Sequence, residues 1–344
     1  MPNVPPMSSV KEIRIRPLGA LLLCFALGAA ACGGDDSSNG SNGTNGTNGV
    51  NGTNGTQPED DVPDRVSYVD TLVIPEVNNG TPACCIDFGD RSKNPGVDNA
   101  FASLADQLSG FADLQTTVDE SLEDGSQILL LNHVGLVDEN DGFRLEGLLG
   151  EFAGATTYTE ASAGTGTFTI DPSSFVGGEA LISMQGDMEG GAMTAGPDDF
   201  VLSLPLGDVT ITINVSEALL TGDATLDSET QVSYINGELS GYLLVDEIFN
   251  GLNAYLDAEC ECLGLDGDVF VQDGETLEWS ANCAEDAGTC TESGCENIGT
   301  GLACGLLPTI MQSVADIDTN NDTQRYEGLS VGLQFTGQTA TIVE

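Results

Sequence analysis

The sequence predicts an α+β domain, an antiparallel β-sheet or β-sandwich with flanking helices, stapled by disulfides. Three observations lead there. Apolar residues alternate with period two through the middle of the chain, they recur at helical spacing nearer its ends, and eight cysteines follow an export signal.

Residues 1–31 read as that signal. Lys11, Arg14 and Arg16 precede an uncharged run from Leu18 to Ala31, and this run is shorter than the roughly 20 apolar residues that span a bilayer. It ends Gly28-Ala29-Ala30-Ala31-Cys32, small residues before a cysteine, which resembles a lipobox with Ala29 where leucine is favoured. On this reading the chain is cut before Cys32, whose thiol carries acyl chains such as palmitate, and the membrane is met through that N-terminal lipid. Each buried CH₂ contributes about 0.8 kcal/mol, so several chains hold firmly. The resemblance to lipoproteins implies, with Gly33 rather than Asp after the cysteine, sorting to the outer membrane, in its periplasmic or surface leaflet. An ordinary secretory cut after Ala31 is the alternative. Residues 32–61 repeat Asn-Gly-Thr with almost no apolar side chain, so they cannot offset the entropy of ordering and form a tether reaching about 30 Å.

Residues 62–344 make the exported domain, with a division near residue 155 as the alternative to one unit. Val97, Ala100, Phe101, Leu104, Leu108 and Phe111 follow Pro95-Gly96 at helical spacing, with Asp98 near the start of the helix dipole. Ile128 to Val134 and Phe143 to Leu149 read as core strands joined through the turn residues 138–142. Leu202, Leu204 and Leu206, then Val209, Ile211, Ile213 and Val215, alternate with polar residues as antiparallel strands do. Asn236-Gly237 predicts a tight hairpin between Gln231–Ile235 and Glu238–Tyr242. Val245, Ile248, Phe249, Leu252, Tyr255 and Leu256 make a helical face, and a second helix is expected over 306–315. Two last strands are expected over Leu329–Phe335 and Thr339–Val343.

Beyond signal Cys24 and lipid Cys32 stand Cys84, Cys85, Cys260, Cys262, Cys283, Cys290, Cys295 and Cys304. An even number in an oxidising compartment predicts four disulfides, in any of 105 connectivities. Adjacent Cys84 and Cys85 are expected to pair elsewhere, at least one of them with the 260–304 region. Zinc is disfavoured because Cys260-x-Cys262 lacks a two-residue gap and the one histidine, His133, is far away.

One stretch carries metal chemistry. Asp316, Asp318, Asn320, Asp322 and Glu327 occupy positions 1, 3, 5, 7 and 12 of a loop, the oxygen-ligand spacing of an EF-hand, so calcium is the predicted cofactor. Asn321 replaces the usual glycine at the sharp turn, and a strand rather than a helix follows.

The formal charge of -47 leaves Arg65, Arg91, Lys93, Arg144 and Arg325 as the basic residues after the cut. A field so negative excludes nucleic acid, whose binding rests on neutralising phosphate. The lipobox, the tether, the Asp98-Asn99-Ala100 helix start and the aspartate-rich loop leading into Leu329-Ser330-Val331-Gly332-Leu333-Gln334-Phe335 together resemble a group of lipoproteins of myxobacteria and related deltaproteobacteria. The likeness covers both ends of the folded region; it implies envelope location and carries no activity. GxSxG, HExxH and P-loop motifs are absent from the sequence, and His133 sits in an apolar strand pattern where a core residue is expected. The sequence therefore favours a structural or binding module with a calcium-stabilised loop, with a hydrolase using paired carboxylates as the alternative.

Overall fold

The computed structural model describes residues 64–78, 81–93, 95–108, 114–206, 209–259, 268–274, 278–281, 307–319 and 325–343. The expected signal, Cys32 and the expected tether lie outside the described residues. The chain enters as strand β1 (Arg65–Val73), crosses helices α1 (Ala100–Leu108) and α2 (Leu114–Asp124), and returns as β2 (Leu129–Val134) and β3 (Gly142–Phe152). Helix α3 (Tyr158–Ser162) and strand β4 (Gly166–Ile170) lead to β5 (Ile182–Glu189), β6 (Ala192–Leu206), β7 (Val209–Ser228) and β8 (Gln231–Leu244). Helix α4 (Val245–Glu259), short strands β9 (Phe270–Gln272) and β10 (Trp279–Ala281), helix α5 (Leu307–Val314) and strand β11 (Gly328–Ile342) follow.

The protein is mostly β, a large antiparallel sheet with a few helices. Its pairing follows chain order and is antiparallel at each step: β1 to β2, β3, β5, β6, β7, β8 and β11, and β11 back to β1. The sheet thus closes as an eight-stranded up-and-down barrel rather than two stacked layers. Strands from both sides of residue 155 take part. Side chains such as Leu131, Leu145, Met184, Met193 and Ala218 fill the inside, whereas Asp223, Thr225 and Asp227 on β7 face out exposed. This polarity is the reverse of a membrane-crossing barrel, whose apolar band is on the outside.

Strand β4 adds a second layer on one flank. It pairs with the end of β3 and with the end of β11, and so covers the outer side chains Val66, Tyr68, Leu130 and Leu148. Strand β1 is consequently buried on both faces over Arg65–Asp70, which explains why its sequence, RVSYVD, shows no clean alternation.

Three expected elements differ. Asn236-Gly237 does not turn the chain but lies within the continuous strand β8 as a bulge, marked by register shifts against both neighbouring strands. Asn236 has φ of 53°, the conformation that a tight turn and a bulge both require. What decides is distant: the ring of Phe335 lies 2.5 Å from where a Cβ on Gly237 would stand, so only glycine admits it. The two final strands are likewise one strand, because Thr336-Gly337-Gln338 is clamped between β1 and β8. There the Asp70 bulge of β1 accepts hydrogen bonds from Thr336 Oγ1 at 2.7 Å and Gln338 Nε2 at 3.3 Å. Finally, the first helix starts at Ala100, with Asn99 Oδ1 capping the Ala102 amide at 3.0 Å. Val97 is exposed and Phe111 lies outside the described residues. Asp98 instead accepts from the Phe88 amide at 2.8 Å and from the Ser92 hydroxyl.

The helices at 245–259 and 307–314 form, burying Val245, Ile248, Phe249, Leu252 and Leu256 of the first and Leu307 and Met311 of the second. Phe249 stacks on Trp279 and packs at a tilt against Phe270, and Asn253 closes two hydrogen bonds with the backbone of Phe270, which fixes β9 and β10 against α4.

Candidate functional site

The barrel has two unlike ends. At the end where β1 stops, α1 and α2 roof an apolar cavity of about 90 Å³. Val69, Leu129, Val215, Leu239 and Val331 form its walls from the strands, and Phe101, Val118 and Leu122 its roof from the helices. Among the described residues Gln127 is the single polar side chain that touches it, and its Oε1 accepts from the Ser121 hydroxyl at 3.3 Å. The roof is pinned: Gln115 of α2 accepts from the Ile74 amide at 2.8 Å and donates to the Leu72 carbonyl at 2.9 Å. An apolar cavity of about 150 Å³ admits benzene or xenon, so this smaller one suits a slimmer group.

The other end is closed by polar side chains. The buried Arg65 guanidinium donates to the carbonyls of Leu136 and Val137 at 2.9 and 3.0 Å, tying the β2–β3 loop across the opening. His133, fully buried, shares its Nε2 with the Tyr234 hydroxyl, and its Nδ1 lies 2.8 Å from the Arg65 carbonyl. Burial, helped by the charge of Arg65, holds the His133 pKa down at about 4, so the ring is neutral at ordinary pH. Burial also raises the Tyr234 hydroxyl well above its usual range. The sole histidine thus has a structural hydrogen bond on each nitrogen and faces aromatic rings of Phe143 and Tyr234.

Of the residues predicted to hold calcium, Asp316, Asp318 and Glu327 are described. Asn320 and Asp322 lie outside the described residues. Asp316 is buried and turned to β11, where its carboxylate accepts from the Ser330 amide at 2.8 Å and the Ser330 hydroxyl at 2.5 Å. Burial, with the charge of Asp98 nearby, raises its pKa to about 6. Glu327 accepts from the Thr319 hydroxyl at 2.7 Å. Backbone hydrogen bonds between Ile317 and Gly328 pinch the base of the loop. The Asp316 carboxylate is thus engaged by Ser330, while Asp318 and Glu327 flank the loop half-buried.

Of the eight cysteines, Cys84 and Cys85 are described, and their sulfurs lie within disulfide distance of each other. Neighbours were expected to pair elsewhere; here their Cα atoms stand 3.1 Å apart across a cis peptide. Cys260, Cys262, Cys283, Cys290, Cys295 and Cys304 lie outside the described residues.

The cavity is a site that sequence patterns did not disclose. Helix α2 carries a faint signal, Leu114, Val118 and Leu122 at four-residue spacing in an otherwise polar stretch, and these are its buried residues. No family model, no curated protein and no solved structure matches this chain.

Proposed function

We propose that the protein is a binding module held at the cell envelope by lipid on Cys32, and that its barrel takes up a slim aliphatic group such as the end of an acyl chain. The observation that carries the reading is the roofed cavity, whose described lining is apolar apart from Gln127. A pocket without charged or convergent polar groups suits a hydrocarbon and offers nothing to a reacting substrate. The anchor rests on the lipobox and the resemblance to deltaproteobacterial lipoproteins, and places the barrel within tether reach of a bilayer. Cys32→Ser is expected to move the protein from the membrane to the soluble fraction, and unchanged partition would remove the anchor.

Titration of the mature protein with a fluorescent alkyl probe tests the cavity. Saturable binding is expected, lost in Val331→Phe, whose ring would occupy the space. Equal binding by this variant, with its thermal melting intact, would contradict the assignment.

A calcium-stabilised loop belongs to the same proposal, with Asp318, Asn320, Asp322 and Glu327 as ligands and Asp316 left to its hydrogen bonds with Ser330. At the affinity of extracellular calcium modules, 10 mM calcium stabilises by about 1.4 to 2.7 kcal/mol. A rise in melting temperature reversed by chelator is expected. Identical melting with and without the ion would eliminate calcium.

A further inference from the structure

Away from the cavity, one cluster brings two sulfur-bearing residues to a carboxylate. One ligand atom each from Cys84, Cys85 and Glu238 lie within 4.8 Å of one another, the one such group of three or more metal-ligating residues among the described residues. Cys84 is buried and the other two are half-buried, so the group is neither a surface accident nor sealed from solvent. The fold shapes the place. Cys85 Sγ and Asn99 Nδ2 each come within 2.8 Å of where a Cβ on Gly332 would stand, so glycine on β11 leaves the room they fill. Asn99 Nδ2 donates to the carbonyls of Cys84 at 3.2 Å and of Gly332 at 2.8 Å, fixing the cysteine loop to the barrel wall. Glu238 stands on β8, the strand next to β11, and opposite Gln334.

Joined to each other, the two sulfurs carry no charge and are poor ligands. As thiolates they would be strong ones, and with Glu238 they supply three of the four positions of a tetrahedral site. The surrounding negative field of the chain favours entry of a cation. We propose that Cys84, Cys85 and Glu238 form a thiol-gated site for a thiophilic divalent cation such as zinc, shut when the cysteines are joined and opened by reduction. A dithiol reductant delivers two electrons and two protons to the sulfur–sulfur bond, which breaks into two thiols while the reductant closes to its own disulfide. The incoming ion displaces both thiol protons and is held by two thiolates and the Glu238 carboxylate, with water in the fourth position. Asn99 also caps α1, so the site adjoins the start of a helix that roofs the cavity.

The test uses the full mature chain, oxidised or reduced with dithiothreitol that is then removed without air, and counts zinc bound per chain by elemental analysis. The remaining cysteines also respond to reduction, so the reading is a difference between proteins. Reduced wild type is expected to bind one zinc ion more than the reduced Cys84→Ser/Cys85→Ser variant, and the two oxidised proteins the same number. Glu238→Gln, with both cysteines intact, is expected to weaken that extra ion by about tenfold or more. Equal zinc in the two reduced proteins, or a difference that persists on oxidation, would overturn the proposal. Should the serine variant fail to fold, Glu238→Gln decides, and unaltered affinity rejects the site.

Discussion

Replacing Phe335 by alanine is expected to lower the unfolding free energy by about 3 to 5 kcal/mol, among the largest losses a single truncation can give. The ring is almost wholly buried, lies over Gly237 and packs against Tyr234 at a centroid distance of 5.7 Å. Removing it empties the barrel where three strands meet. The partner change, Gly237→Ala, forces a methyl against that ring and is expected to cost about 1 to 3 kcal/mol. Combined, the two changes should cost less than their sum, since the alanine methyl then has room. Denaturant unfolding of the four proteins measures this, and strict additivity would show that ring and glycine do not meet.

The second large effect concerns acid. A histidine whose folded-state pKa is about 4, below the usual 6.5, leaves the folded protein neutral where the unfolded chain takes up a proton. The stability this contributes is complete above pH 6.5, falls as the pH drops and is gone below about 4. The total is about 3 kcal/mol. The many other carboxylates impose their own pH dependence, so the informative quantity is the difference between wild type and His133→Gln, which retains hydrogen-bonding atoms but does not titrate. That difference should shift in favour of the variant by about 3 kcal/mol between pH 6.5 and 4. A constant difference across this range would show that His133 is not held neutral.

Local pattern revealed the strands and helices with a regular apolar period. The alternation through 202–215, the Leu129–Val134 and Gly142–Phe152 hairpin and the 245–259 helix all follow from it. It could not reveal what distant residues decide. Asn236-Gly237 meets the backbone demand of a turn and of a bulge equally, and the choice falls to Phe335, roughly a hundred positions further on. Strand β1 was hidden because β4 covers its outer face, replacing alternation with burial on both sides. Barrel closure depends on β11 meeting β1 and β5 meeting β3, pairings with no local trace. The cavity was illegible for a related reason: Val69, Leu239 and Val331 read as core residues whether or not the space between them is filled. For Asp316 the spacing of the motif is visible, but Ser330, fourteen residues away, takes its carboxylate.

The most direct measurement is a crystal structure of the mature protein under xenon pressure. A dry apolar cavity should show a xenon atom between Val69, Leu239 and Val331 beneath Phe101, and none in crystals of Val331→Phe. A barrel interior filled by side chains or ordered water at that position, with no xenon, would contradict the account.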